Sequence, residues 1–139
     1  MTAIKFGLFV DASNQWFVSI WLSLHGRKAE VNFKVDNGCN GLVLSRKTLK
    51  ALNYSIDNEN IAKLQDVTGR LASGEKSSFK NLGTASLYTD KKQLIHICNA
   101  NAICHATRET NDLMGTEVFK QFTDINLHLS DDKYMELLK

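Results

Sequence analysis

Val31-Asn32-Phe33-Lys34-Val35-Asp36-Asn37-Gly38-Cys39-Asn40-Gly41-Leu42-Val43-Leu44-Ser45 is the stretch on which the fold turns. Val31, Phe33 and Val35 alternate with Asn32, Lys34 and Asp36, the period of a half-buried strand. Two Asn-Gly pairs follow, then the apolar run Leu42-Val43-Leu44. A carboxylate, Asp36, therefore stands where a core strand ends and a tight Gly-rich loop begins. Taken alone, Asn-Gly between apolar runs signals a β-hairpin turn. The sharper reading is an aspartate presented on a loop for chemistry.

Upstream of this stretch, residues 16–24 place Val18, Ile20, Leu22 and Leu24 on one face and Phe17, Ser19, Trp21 and Ser23 on the other. His25-Gly26-Arg27-Lys28 is a turn, and the chain returns along residues 29–35 as a hairpin that delivers it to Asp36. Phe6, Leu8 and Val10 alternate, consistent with an edge strand in an N-terminal arm. Downstream, Ser45 is a good N-cap for a short helix with Leu49 and Leu52 inward, ending at Asn53. Residues 54–62 read as a polar loop. Residues 64–79 contain Gly69 and Gly74 and little apolar content, so they read as a long exposed hairpin with its tip at residues 69–74. Residues 82–88 and 93–97 form strands separated by a turn at Thr89-Asp90-Lys91-Lys92, and residues 100–106 another strand. After a polar loop at 108–112, Leu113-Met114-Gly115 opens a second helix with Val118, Phe119 and Phe122 on one side. Ile125, Leu127 and Leu129 alternate in a final strand, and residues 131–139 read as a helical turn or a frayed tail. The class is mainly β with two short helices.

At 139 residues the chain is expected to be one domain, with its core over about 16–130. Lys and Arg number 17 against 15 Asp and Glu, so the net charge of +2 argues for neither nucleic-acid nor membrane binding. The absence of a membrane-length apolar run and of a signal-like N-terminus leads to a cytoplasmic expectation. Cys39, Cys98 and Cys104 are few and odd in number, which suits a reducing compartment. His96, Cys98, Cys104 and His105 fit no standard zinc spacing, so no metal and no cofactor are expected. Cys98 and Cys104 read as small buried strand residues, His25 as a solvated turn residue, and Trp16, Phe17 and Trp21 as core or dimer contacts.

With these elements in order, the chain resembles the retropepsins, the retroviral-type aspartic proteases, over roughly residues 16–130. A strand hairpin feeds an Asp-Thr/Ser-Gly loop, here Asp36-Asn37-Gly38, with Cys39 where Ala is usual. The strand and helix from Gly41 to Leu52, the glycine-containing hairpin, and Leu113-Met114-Gly115-Thr116-Glu117-Val118-Phe119 followed by Asp124-Ile125-Asn126-Leu127 match the family's order. The resemblance implies a closed acid-protease barrel working as a homodimer on an extended peptide or protein substrate. It further implies a site built from Asp36, Asn37 and Gly38, with Asp36 paired with its copy across a two-fold axis. Residues Gly69, Arg70, Leu71, Ala72, Ser73 and Gly74 would form a flap over the peptide. Cys39 then reads as packing in place of Ala rather than as a nucleophile.

Asn37 departs from the family, in which the Thr or Ser hydroxyl bonds across the dimer. Its amide both donates and accepts, but it is bulkier. A second expectation follows: the same fold as a peptide-binding or dimerisation module with weak or no catalysis.

Overall fold

The computed structural model describes residues 3–36, 38–54, 63–70, 73–89, 95–130 and 133–138. These form ten strands and two short helices. In chain order they are β1 (Ala3–Val10), β2 (Trp16–Leu24), β3 (Arg27–Val35), β4 (Leu42–Val43), α1 (Arg46–Ala51), β5 (Asp66–Arg70), β6 (Lys76–Tyr88), β7 (His96–His105), β8 (Leu113–Met114), α2 (Thr116–Phe119), β9 (Asp124–His128) and β10 (Tyr134–Leu138). The sheet order is β5-β6-β7-β4-β8-β3-β2-β1-β10-β9. An additional pairing of β2 with β6, from Trp21 opposite Tyr88 to Ser23 opposite Ser86, closes a ring of strands.

The alternation read from the sequence fixes which face turns inward. Val18, Ile20, Leu22 and Leu24 of β2 are buried, as are Ala29, Val31 and Phe33 of β3. They meet Leu42, Leu44, Leu49, Leu52, Leu82, Leu87 and Met114 in one apolar cluster. Burying such side chains is the main favourable term in folding. Helix α1 starts at Ser45, whose hydroxyl accepts from the Thr48 N–H. Its C-terminal carbonyls are met by Arg27 of β3, which donates to the Leu52 and Asn53 oxygens at 3.2 and 2.6 Å.

Several boundaries differ from the sequence reading. Strand β1 is not an edge: it lies between β2 and β10, with Phe6 and Leu8 buried. Residues 134–138 form strand β10 rather than a helical turn or frayed tail, because Met135 and Leu137 alternate into the core. The core thus extends beyond 16–130 at both ends. Strand β7 is continuous over His96–His105, where two strands were expected. Asn99 and Asn101 face outward while Ala100 and Ala102 fill the core, so the asparagines do not interrupt it. Strand β6 unites the outer arm of the hairpin with the strand that follows, through a register shift between Asn81 and Gly83. Most of the expected 54–62 loop and residues 90–94 lie outside the described residues. No helix among the described residues is long and apolar enough to cross a membrane.

Candidate active site

Asp36 is carried at the end of β3, in a place where three strands converge. Strand β3 runs parallel to β8, with Lys34 opposite Leu113 and Val35 opposite Met114. The ladder continues one residue further, since the Asp36 N–H donates to the Met114 oxygen at 2.9 Å. After the loop, β4 inserts between β8 and β7, pairing Leu42 with both Met114 and Ala102. The aspartate therefore projects from a backbone held on a buried scaffold, although its own side chain is only half-buried.

The loop is fastened from below by the start of α2. The N–H groups of Gly115, Thr116 and Glu117 donate to the carbonyls of Gly41, Cys39 and Asn40 at 2.9, 3.0 and 2.6 Å. These are donors that a helix N-terminus leaves free. The Thr116 hydroxyl adds a bond to the Cys39 oxygen at 3.3 Å. Glu117 in turn accepts from the Asn101 N–H of β7 at 3.0 Å. Close approach demands a glycine at 115: a Cβ there would sit 2.4 Å from the Cys39 oxygen and 2.7 Å from the Asn40 oxygen.

Within the loop, the Gly38 N–H donates to Asp36 Oδ1 at 2.8 Å. A Cβ on Gly38 would lie 3.0 Å from the same oxygen, so a larger residue would disturb that bond. The bond leaves Asp36 Oδ2 without a hydrogen-bond partner among the described residues. Asn37 lies outside the described residues. Cys39 donates its thiol to the Asp36 oxygen at 3.5 Å and the Gly41 oxygen at 3.7 Å. Burial, and then the charge of Asp36, push this thiol up to about 11. It is therefore a packed, protonated group at neutral pH, not an activated nucleophile.

The hairpin expected to be a flap is formed by β5 and β6, from Asp66 opposite Lys80 to Arg70 opposite Lys76. Its turn lies further along than the sequence reading placed it. Gly69 and Arg70 are inside β5, paired with Ser77 and Lys76, while Ser73 and Gly74 lie in the turn. Arg70 donates to the Gly74 oxygen at 3.0 Å across that turn. Leu71 and Ala72 lie outside the described residues. Within the hairpin, Gly69 lies against the ring of buried Phe79, which meets His105 edge-on at 5.1 Å.

His105 is a group whose role the sequence did not show. It is 3% exposed. Its Nδ1 accepts from the N–H groups of Thr107 and Arg108 at 3.1 and 2.9 Å. That assigns the proton to Nε2, which donates to the Ser77 hydroxyl of β6 at 2.6 Å. Burial, then the nearby charges of Arg108 and Arg46, hold its pKa below the ordinary histidine value. Asp112 was likewise read only as part of a polar loop. It accepts from the Ser45 N–H, the Ser45 hydroxyl and the Thr48 hydroxyl at 2.6, 3.1 and 2.8 Å, pinning α1 to the strand leading into β8. Burial raises its pKa against the opposing effect of these bonds. The links to Ser77 and to the start of α1 have no signal in the local sequence, because those partners lie far along the chain.

Cys98 and Cys104 are buried core residues. His96 instead meets Asn99 at 2.8 Å on the outer face. His25, expected to be solvated, is exposed but its Nδ1 is hydrogen-bonded to the Tyr54 hydroxyl. Among the described residues no group of three or more His, Cys, Asp or Glu is placed to hold a metal ion.

A solved structure shares this fold. It is the crystal structure of a retropepsin-like aspartic protease from Rickettsia conorii, with a TM-score of 0.60 and 14% sequence identity, over 98% of this chain and 89% of that one. The fold is retropepsin-like. No protein-family model matches the sequence, and no curated protein matches it.

Proposed function

We propose that this chain is an aspartic endopeptidase acting as a homodimer, with Asp36 of each copy facing the other. The observation that carries the reading is Asp36 itself: a carboxylate on a braced loop, one oxygen fixed by Gly38 and the other without a partner among the described residues. One such carboxylate is not enough. Two placed together share a proton, because both cannot ionise at close range. The ionised one takes a proton from water as the water oxygen attacks the peptide carbonyl. The protonated one supplies a proton towards the carbonyl oxygen, and the leaving nitrogen is protonated as the C–N bond breaks. The β5–β6 hairpin would close over the extended peptide and exclude water.

A second copy has a natural seat. Strand β9 ends the sheet and pairs only with β10 among the described residues. Ile125 and Leu127 stand opposite Leu137 and Met135, which are 0% exposed, yet are themselves 39% and 46% exposed. The buried face of β10 thus continues onto β9 uncovered by the described residues, and Leu129 extends the row at 51% exposure. Pairing β9 with its copy would cover these side chains and use the free strand edge.

The test is cleavage of an unfolded protein at acidic to neutral pH by wild type and by Asp36→Asn. Loss of cleavage in the variant is expected, and equal cleavage by both overturns the reading. Asn37, in place of Thr or Ser, favours a second reading: a peptide-binding or dimerisation module with little catalysis. Asn37→Thr decides between them. Activity created or strongly raised marks a weakened enzyme, whereas two inert proteins that both bind peptide mark a binding module.

A further inference from the structure

Lys34 lies two residues before Asp36 on the same strand. Side chains two apart on a strand share a face. The opposite face of β3, carrying Val31 and Phe33, is buried in the core, so Lys34 and Asp36 lie on the outward side. Pairing register places Lys34 between Phe17 of β2 and Leu113 of β8. The row continues past Phe17 to Phe9, whose ring stacks on it at 5.3 Å, and past Leu113 to Val43. This is an apolar row, mostly half-exposed, crossing five strands beside the aspartate, and it contains one cation. Among the described residues the Lys34 ammonium has no carboxylate within ion-pair distance, and it accounts for none of the hydrogen bonds.

An ammonium that lacks a partner on a half-buried apolar floor is a ready recognition group for an anion. We infer that Lys34 is a specificity-determining residue that selects peptides carrying an acidic side chain next to the bond over Asp36. The inference rests on the peptidase reading, and names its substrate class. In a symmetric dimer the two lysines flank the aspartate pair from both sides, so an acidic residue on either side of the bond is favoured. The apolar neighbours Phe17 and Leu113 take the aliphatic stem of a glutamate better than they take a small polar residue. The partly desolvated pair strengthens binding and weakens with salt.

Three extended peptides identical but for Glu, Leu or Lys beside the cleaved bond provide the test, at about pH 6, where the glutamate is ionised. Wild type is expected to favour Glu over Lys in kcat/KM by about ten-fold, with the ratio shrinking as salt rises. Lys34→Glu should invert the order, and Lys34→Leu should abolish discrimination between Glu and Lys. The same three peptides are titrated by fluorescence anisotropy against Asp36→Asn protein with and without Lys34→Glu. If binding follows the charge order but no peptide is cleaved, the peptidase reading fails and Lys34 keeps its role. If peptides are cleaved with no charge preference, or Lys34→Glu keeps the preference for Glu, the assignment of Lys34 is overturned while the peptidase reading stands.

Discussion

Gly115 shows how far a single residue governs the site without touching substrate. Its missing side chain lets the α2 N-terminus reach the carbonyls of Cys39, Asn40 and Gly41. Gly115→Ala would place a methyl 2.4 Å from the Cys39 oxygen, and backbone rather than a pliable side chain must then move. We expect a loss of about 1–3 kcal/mol of stability, read as a fall in the urea midpoint. Because Asp36 rides on the displaced loop, any peptidase activity should fall further than stability does, on the order of 100-fold. An unchanged urea midpoint would show that the loop yields freely. The sequence made part of this visible. Leu113-Met114-Gly115 stood out as an apolar pair followed by a glycine, and Asp36 stood out by period and by its Asn-Gly neighbour. The reason for Gly115 was not visible, because the carbonyls it must clear belong to residues more than seventy positions earlier. Lys34 was in plain view, on the same face as Asp36, but a lysine on an outer strand face is the commonest of surface features. Only its register against Phe17 and Leu113 separates it from a solvated charge.

At the scale of elements, the hairpin of β5 and β6 is tied to the rest of the molecule through Ser77 of β6. His105 clamps β6 through Ser77 and holds the turn after β7 through two backbone donors, and it does so as a neutral ring. Its lowered pKa has a definite consequence. As pH falls below about 6.5, the unfolded chain takes up a proton at this ring before the folded chain does. Stability is therefore lost on acidification, until the folded form is protonated as well. Protonation of the fold itself would put a hydrogen on Nδ1 against the Thr107 and Arg108 donors and loosen the turn after β7. We expect wild type to lose stability between pH 7 and about pH 5, and His105→Gln to flatten that slope, measured as urea midpoints across the range. An identical slope in both proteins would assign the pH dependence elsewhere. Legibility at this scale followed length. Strands β2 and β3 are nine residues long, and each declares itself by alternation from its third residue on. Strand β10 has five, and its two buried residues gain meaning only from β1 beside it. The hairpin was legible from its glycines, but its turn was displaced because Gly69 serves to lie against Phe79 rather than to bend the chain.

For the whole molecule, the two ends of the chain carry a problem that the ring of strands does not. Strands β1, β10 and β9 extend the sheet away from the ring, and the apolar side chains of β10 are covered while those of β9 are not. A sheet that ends on a strand with a free edge and a bare apolar row invites pairing with another strand. In the proposed dimer a second copy would satisfy the edge and the apolar row together, and it would also supply the second carboxylate that the proposed chemistry needs. Assembly and catalysis should consequently rise and fall together with protein concentration. Leu127→Asp tests this directly. Leu127 is 46% exposed, so the substitution should leave the fold of one chain within about 0.5 kcal/mol of wild type, checked by the urea midpoint under dilute conditions. Sedimentation should then show a dimer for wild type and a monomer for the variant at the same concentration. Cleavage should fall at least ten-fold in the variant and recover on concentrating it, since each monomer still holds an intact Asp36 loop. A variant that remains dimeric and active would remove β9 from the interface, and a wild type that cleaves as a monomer would remove the pairing of Asp36 with its copy.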